Sequence, residues 1–320
     1  MTPETSDHID RVFHAQKNYK YTLKNSTSDY RIKKLKRFKN LMLSKKSEIA
    51  HALAEDFGKS EHESYLTEIL PIMSMINLNI KKLDSWMRPQ KIKSGPLFLG
   101  TNPAIVYEAK GNSLIISPWN YPFHLTVYPI LTSFSAGNTC IVKPSEYTPH
   151  TNKIVENLLN EVFDENEICV IEGEVEETNK LLEKPFDHVF FTGSTPVGKI
   201  IMKKAAEHLA SVSLELGGKS PTIICDDYDL EHAAKRIMWG KNVNGGQTCV
   251  APDFLMVSEE NKESLIVELK KQIAASYNGE YENNKDYCRI ITKRHAQRLD
   301  SMIKDATEKG AKIEEGGQYN

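Results

Sequence analysis

The sequence predicts an α/β protein: a helical N-terminal segment, a doubly wound parallel sheet, and the first part of a second α/β domain. Three observations predict it. Apolar residues up to about position 88 recur at helical spacing, and from Ser113 short apolar runs alternate with helical stretches. From Ser211 a further set of strands and helices begins. At 320 residues the chain is long enough for two ordinary domains.

Residues 6–88 read as helical, because Ile9, Val12 and Phe13 share one helix face, as do Ile32, Leu35, Phe38 and Met42. Lys33, Lys34, Lys36, Arg37 and Lys39 form a basic cluster interleaved with those apolar positions, which marks a solvated helix face rather than a nucleic-acid patch. Tyr65 to Trp86 continues the helical pattern until Arg88-Pro89 ends it. From Gln90 to Gly111 the composition shifts to Pro, Gly and Lys, with β-like pieces at Leu97–Leu99 and Ile105–Glu108, so a linker or hairpin is expected. Strands follow at Ser113–Ser117, Thr139–Lys143, Ile168–Glu172 and His188–Thr192. Helices are expected between and after them at Phe123–Ser135, His150–Phe163, Glu174–Glu183 and Pro196–Leu209. Strands joined by crossover helices make a parallel sheet, and such sheets bind ligands beyond the C-terminal ends of their strands. The second domain is expected to open at Ser211–Leu216. Strands follow at Thr222–Cys225 and Asp253–Ser258, then helices at Asn261–Tyr277 and Thr292–Glu308.

Composition excludes several classes. A net charge of −2 gives no electrostatic reason to expect nucleic acid or a membrane surface as partner. No apolar run approaches the roughly twenty residues a membrane helix needs. The polar N-terminus has no apolar signal region. Five cysteines without paired spacing argue against a disulfide framework and a zinc site, and suit a reducing compartment, the cytoplasm.

Five stretches carry candidate chemistry. Asn244-Gly245-Gly246-Gln247-Thr248-Cys249 puts a thiol on a glycine-rich bend between a helix-like and a strand-like segment, where a thiolate nucleophile is expected. A loop cysteine filling a gap accounts for the stretch equally well. Pro118-Trp119-Asn120-Tyr121-Pro122 ends a strand, and its prolines fix the backbone so that the Asn120 amide can face a developing oxyanion. Lys143-Pro144-Ser145-Glu146 offers a lysine and a glutamate for ribose hydroxyls, or is an ordinary surface turn. Phe191-Thr192-Gly193-Ser194-Thr195-Pro196-Val197-Gly198 reads as strand end, glycine turn and helix start, with Ser194 or Thr195 as the cap, and favours a phosphate. Leu214-Glu215-Leu216-Gly217-Gly218-Lys219 places a carboxylate among apolar neighbours, where desolvation would make it a base, unless Glu215 pairs with Lys219.

Taken together, in this order, the stretches resemble the NAD(P)-dependent aldehyde dehydrogenase superfamily, most closely its class 3-like branch of fatty and aromatic aldehyde dehydrogenases. The matching segments are Pro118–Pro122, Lys143–Glu146, Phe191–Gly198, Glu215–Pro221 and Gly246–Asp253. The resemblance implies a Rossmann-like NAD(P)-binding domain over residues 1–210, with 90–111 as an oligomerisation hairpin, and a catalytic domain over 211–320. It implies that Cys249 attacks the aldehyde, that Asn120 and the Cys249 N–H stabilise the oxyanion, and that Glu215 activates the water that hydrolyses the thioester. It assigns Lys143 and Glu146 to the ribose, Gly193, Ser194 and Gly198 to the pyrophosphate, and Trp119 and Leu216 to further cofactor contacts, with a homodimer as the assembly. Trp239 and Tyr121 stand as walls of an aldehyde tunnel or as core residues.

The family's later Glu-Ile-Phe-Gly-Pro segment does not occur, and Gly316 to Asn320 adds no closing element. The expectation is therefore a C-terminally truncated chain that is poorly stable and turns over little by itself. An acylating reductase shares the cysteine and hydride step, but Glu215 counts against it. A fragment that keeps nucleotide binding is the non-enzymatic alternative. No histidine lies in a motif that would partner Cys249 in a protease.

Overall fold

The computed structural model describes residues 1–93 and 95–318, so Ser94 of the expected hairpin and the closing Tyr319 and Asn320 lie outside the described residues. The chain divides into two compact units, Met1–Ile49 with Tyr65–Glu215, and Ala50–Ser64 with Leu216–Asn320.

The helical segment forms as the apolar spacing predicts. Thr2 caps α1 (Pro3–Lys24) and Thr27 caps α2 (Ser28–Ser44), each side chain accepting an N–H in the first turn. Ile9, Val12 and Phe13, and Leu35, Phe38 and Met42, are all buried. Helices α3 (Lys46–Phe57) and α4 (Glu61–Ser64) follow, then a π turn at Tyr65–Ile69 and α5 (Leu70–Met87). Pro71 has no N–H to return to the preceding turn, which is where the π turn sits. In the basic cluster, Lys34 binds Glu167 (2.5 Å) and Lys39 binds Asn77 (2.7 Å).

The expected hairpin is present: β1 (Gln90–Lys91) pairs antiparallel with β2 (Ala104–Ile105). Leu97–Leu99 is not β-like, however. Pro96 starts a single 3₁₀ turn over Pro96–Phe98, since its fixed φ and missing N–H suit a turn and not a ladder.

The main sheet is built from β3 (Asn112–Ile116), β4 (Thr139–Lys143), β5 (Ile168–Val170), β6 (His188–Gly193) and β7 (Ser211–Leu216), in the spatial order β5-β4-β3-β6-β7. The pairs β3/β4, β3/β6 and β4/β5 are parallel, with Leu114 in register between Ile141 and Val189. Strands β3, β4 and β5 are buried along their whole length, which is why they read as near-continuous apolar runs. The crossovers are α6 (His124–Ser135), α7 (Pro149–Val162), α8 (Val175–Leu182) and α9 (Thr195–Ala206). Numbered from β3, the order is third, second, first, fourth, fifth, which is a doubly wound arrangement.

The second unit contains β8 (Pro221–Ile223), α10 (Leu230–Asn242), β9 (Phe254–Met256), α11 (Glu259–Ala275) and α12 (Lys293–Glu308). β8 and β9 pair in parallel, and Ile224, Ala233, Ala234, Ile237 and Leu265 form the buried cluster beside them.

Two differences from the sequence reading concern β7. It was expected to open the second domain, with the boundary at 210/211, but it is hydrogen-bonded beside β6 in the first sheet, and the units divide after Glu215. Ala50–Ser64 also joins the second unit, where the Phe57 carbonyl accepts the Arg289 N–H (2.9 Å) and Glu63 Oε1 accepts the Asn244 N–H (2.6 Å). Among the described residues no helix is long and apolar enough to cross a membrane.

Candidate functional site

The strand order reverses between β3 and β6, and in open α/β sheets ligands sit beyond the C-terminal strand ends at such a point. Four of the five candidate stretches lie along that edge. β3 runs into Ser117-Pro118-Trp119-Asn120, β4 ends at Lys143, β6 ends at Gly193, and β7 ends at Glu215-Leu216. The Ser117 N–H donates to the Lys143 carbonyl (3.0 Å), extending the ladder one residue past β3.

Trp119 and Asn120 are half-buried in the bend that precedes α6. Helix α6 has no capping side chain of its own. Its first N–H, that of His124, donates to the carboxylate of Glu68 (2.8 Å), a fully buried residue in the π turn. An anion at a helix N-terminus satisfies an orphan donor and suits the helix dipole. Sequence reasoning missed Glu68; the available signal was a lone acid between Leu66 and Ile72 just ahead of Pro71.

Lys143 is 4% exposed and its Nζ lies 2.9 Å from Glu146 Oε2. The surface-turn alternative does not hold for the lysine, whose ammonium is buried and oriented by one carboxylate. At Gly193 an added Cβ would sit 2.4 Å from the Phe191 ring, so any side chain there must displace that ring. Ser194 takes the N-cap position of α9 (φ −80°, ψ 147°), but its side chain makes no capping bond. Pro196 lies in the first turn and Gly198 is buried, its N–H donating to the Ser194 carbonyl (2.9 Å). The start of α9 therefore has backbone donors that no capping side chain occupies.

Glu215 departs from expectation. It is exposed, not desolvated, near the end of β7, the edge strand of the sheet. Leu216 is half-buried. Lys219 pairs with Asp253 (2.6 Å) instead of Glu215.

In the second unit, Cys249 is exposed in the turn that follows α10. The bend before it is left-handed over three residues, Asn244 (φ 57°), Gly245 (58°) and Gly246 (76°). A Cβ at Gly245 would meet the Cys288 carbonyl oxygen at 3.0 Å, so both the backbone angle and the space require glycine there. The Ala251 N–H closes the turn on the Thr248 carbonyl (3.1 Å). Trp239 is 73% exposed, which removes its core reading, whereas Tyr121 is buried at 9%. Sequence reasoning also missed Asn244, Gln247 and Cys288, whose side chains brace the bend; two amide residues flanking Gly245-Gly246 were the visible signal.

Among the described residues, His8, Glu165 and Cys169 bring ligand atoms within 4.8 Å of one another. Both Glu165 oxygens are engaged by the Arg11 guanidinium (2.5 and 3.0 Å), and burial pushes the Cys169 thiol up to about 12. A cation would have to displace an ion pair and a tightly held proton, so this cluster reads as a charge pair between α1 and the turn before β5.

Comparison with known proteins adds four findings. The model of the aldehyde dehydrogenase family matches residues 2–320. AldX of Bacillus subtilis (strain 168) is 42% identical over 322 residues, which cover 100% of this chain and 72% of AldX. The dimeric NADP-preferring aldehyde dehydrogenase of Rattus norvegicus is 37% identical over 297 residues, which cover 93% of this chain and 64% of that enzyme. Among solved structures, the substrate-bound state of Staphylococcus aureus AldH superposes with a TM-score of 0.90 at 40% identity, covering 94% of this chain and 66% of that one. The chain thus spans between 64% and 72% of the length of these relatives.

Proposed function

The chain belongs to the aldehyde dehydrogenase family, and we propose that it oxidises an aldehyde to a carboxylic acid with NAD or NADP, using Cys249 as the nucleophile. The observation that carries this reading is the shared strand edge: the Asn120 bend, Lys143, Gly193 and Glu215 end adjacent strands on either side of the switch point. On this reading the first unit holds the nucleotide and the second carries the thiol. The chemistry would run in the cytoplasm, where exposed cysteines stay reduced. The β1–β2 hairpin would serve a homodimer.

The residues fit a dinucleotide. The Lys143 ammonium and Glu146 carboxylate supply one donor set and one acceptor set for ribose hydroxyls, and the start of α9 with Gly193, Ser194 and Gly198 suits a pyrophosphate. Trp119 and Leu216 would add further cofactor contacts. Lysine favours and glutamate disfavours a 2′-phosphate, so both cofactors fit. When bound, the nicotinamide supplies the hydride acceptor.

The chain's own residues supply the rest. The Cys249 thiolate adds to the carbonyl carbon, and the Asn120 amide with the Cys249 N–H stabilises the oxygen that becomes negative. Loss of hydride from the same carbon leaves a thioester on Cys249. Glu215 takes a proton from water, which attacks the thioester; the thiolate leaves and the acid is released. An exposed carboxylate has ready access to water. A base in this role wastes a thioester that an acylating reductase would pass on, so hydrolysis is preferred.

The test combines binding and turnover. NAD or NADP is expected to raise the melting temperature, and aldehydes are expected to generate only a small absorbance increase at the NADH band, because the chain by itself is expected to turn over little. Cys249→Ser should abolish that signal and keep the thermal shift. Absence of any nucleotide stabilisation, or oxidation that survives Cys249→Ser, defeats the reading.

A further inference from the structure

The side-chain amide of Gln247 joins the Cys249 bend to a distant stretch of the same unit. Its Nε2 donates to the carbonyls of Asn244 (3.0 Å) and Arg289 (2.9 Å), and its Oε1 accepts the Ile291 N–H (3.0 Å). The exchange with Arg289 and Ile291 repeats, with a side chain, the donor and acceptor pair that one residue's own N–H and C=O offer across a parallel ladder. The 288–291 stretch is itself anchored: the Arg289 N–H donates to the Phe57 carbonyl (2.9 Å), and Cys288 Sγ donates to Asn244 Oδ1 (3.5 Å). On the other side of the bend, Glu63 Oε1 accepts the Asn244 N–H (2.6 Å), and Asn244 Nδ2 donates to the Gln247 carbonyl (3.2 Å).

Three consecutive residues in the left-handed region are disfavoured for an isolated loop, most of all at the non-glycine Asn244. Such a bend persists only where surrounding bonds over-determine it. Those bonds converge on Gln247, two positions before Cys249. The position calls for one planar group with both a donor and an acceptor at that reach; a carboxylate lacks the donor and an ammonium lacks the acceptor.

We propose that Gln247 is a positioning residue, locking the left-handed bend to the Cys288–Ile291 anchor and so fixing where the Cys249 thiol points. The assignment rests on Cys249 as the nucleophile, and its test does not depend on turnover. In the full chain, Gln247→Ala and the near-isosteric Gln247→Glu are compared with the parent. The readouts are amide exchange over residues 243–252 and iodoacetamide labelling of Cys249, with exposed Cys225 as internal reference. Both variants should speed exchange of the bend by about tenfold or more, the consequence of losing more than one hydrogen bond. Both should also change the rate and pH profile of Cys249 labelling relative to Cys225. Unchanged exchange and labelling in either folded variant overturns the proposal, as does acceleration of equal size in α10 and α11, which would mark general destabilisation. Oxidation that survives Cys249→Ser would instead strike the nucleophile reading and leave the exchange result standing.

Discussion

His188 opens β6 with its Nδ1 2.8 Å from Ser211 Oγ and 3.3 Å from Lys110 Nζ. Burial first, and the Lys110 charge second, hold its imidazole below the ordinary value of 6.5. The unfolded chain therefore binds more protons than the folded one just below that value. The resulting stability is present above pH 6.5 and is lost as the pH falls below it through the depressed folded value. Denaturant midpoints measured at about pH 7 and about pH 5 should differ less in His188→Asn than in the parent. Equal differences in both proteins would show that this imidazole does not carry the effect. Among the site candidates, the residue scale also shows why a motif does not give an environment. Glu215 matched its motif and is exposed, while Lys143 matched its motif and is buried against Glu146.

At the scale of elements, the strand-to-helix passage from β6 to α9, the proposed phosphate site, has no room for added volume at Gly193. The Phe191 ring occupies the space a Cβ at residue 193 would need, at 2.4 Å, a separation real Cβ atoms essentially never show. Gly193→Ala must push a ring that is itself 4% exposed, at a cost of about 1–3 kcal/mol for overpacking. The displaced strand end should also weaken NAD or NADP binding beyond what the lost stability explains. Thermal melts with and without nucleotide check both parts; a variant as stable as the parent and equally stabilised by nucleotide would contradict this account. The start of α6 follows a different logic, since its cap comes from Glu68 in a π turn, far away in sequence.

At the scale of the whole molecule the two units differ in how they are held. β3 and β4 are buried along their full length inside a five-stranded sheet. β8 and β9 form a two-stranded sheet whose residues alternate between exposed and half-buried. Two strands alone are marginal in water, so their protection depends on the small cluster around Ala234 and Leu265. Native-state hydrogen exchange should therefore find β3 and β4 among the slowest amides, with β8 and β9 at least about tenfold faster through local opening. Equal protection in both sheets would show that the units unfold as one.

The sequence by itself determined the order and kind of almost every element, and all five candidate stretches. That information is local: apolar period, proline and glycine breaks, and cap residues act over a few positions, which is why β4 and α12 fall within a residue of their expected limits. Only the tertiary structure decided that β7 completes the first sheet, that Glu215 faces water, and that Lys143 does not. It also decided that Glu68 caps α6 and that Gln247 reaches Arg289 and Ile291. The placement of β7, the Glu68 cap and the reach of Gln247 each depend on a partner tens of residues away along the chain, and no spacing rule within a motif carries the identity of a neighbour that folding alone brings into contact.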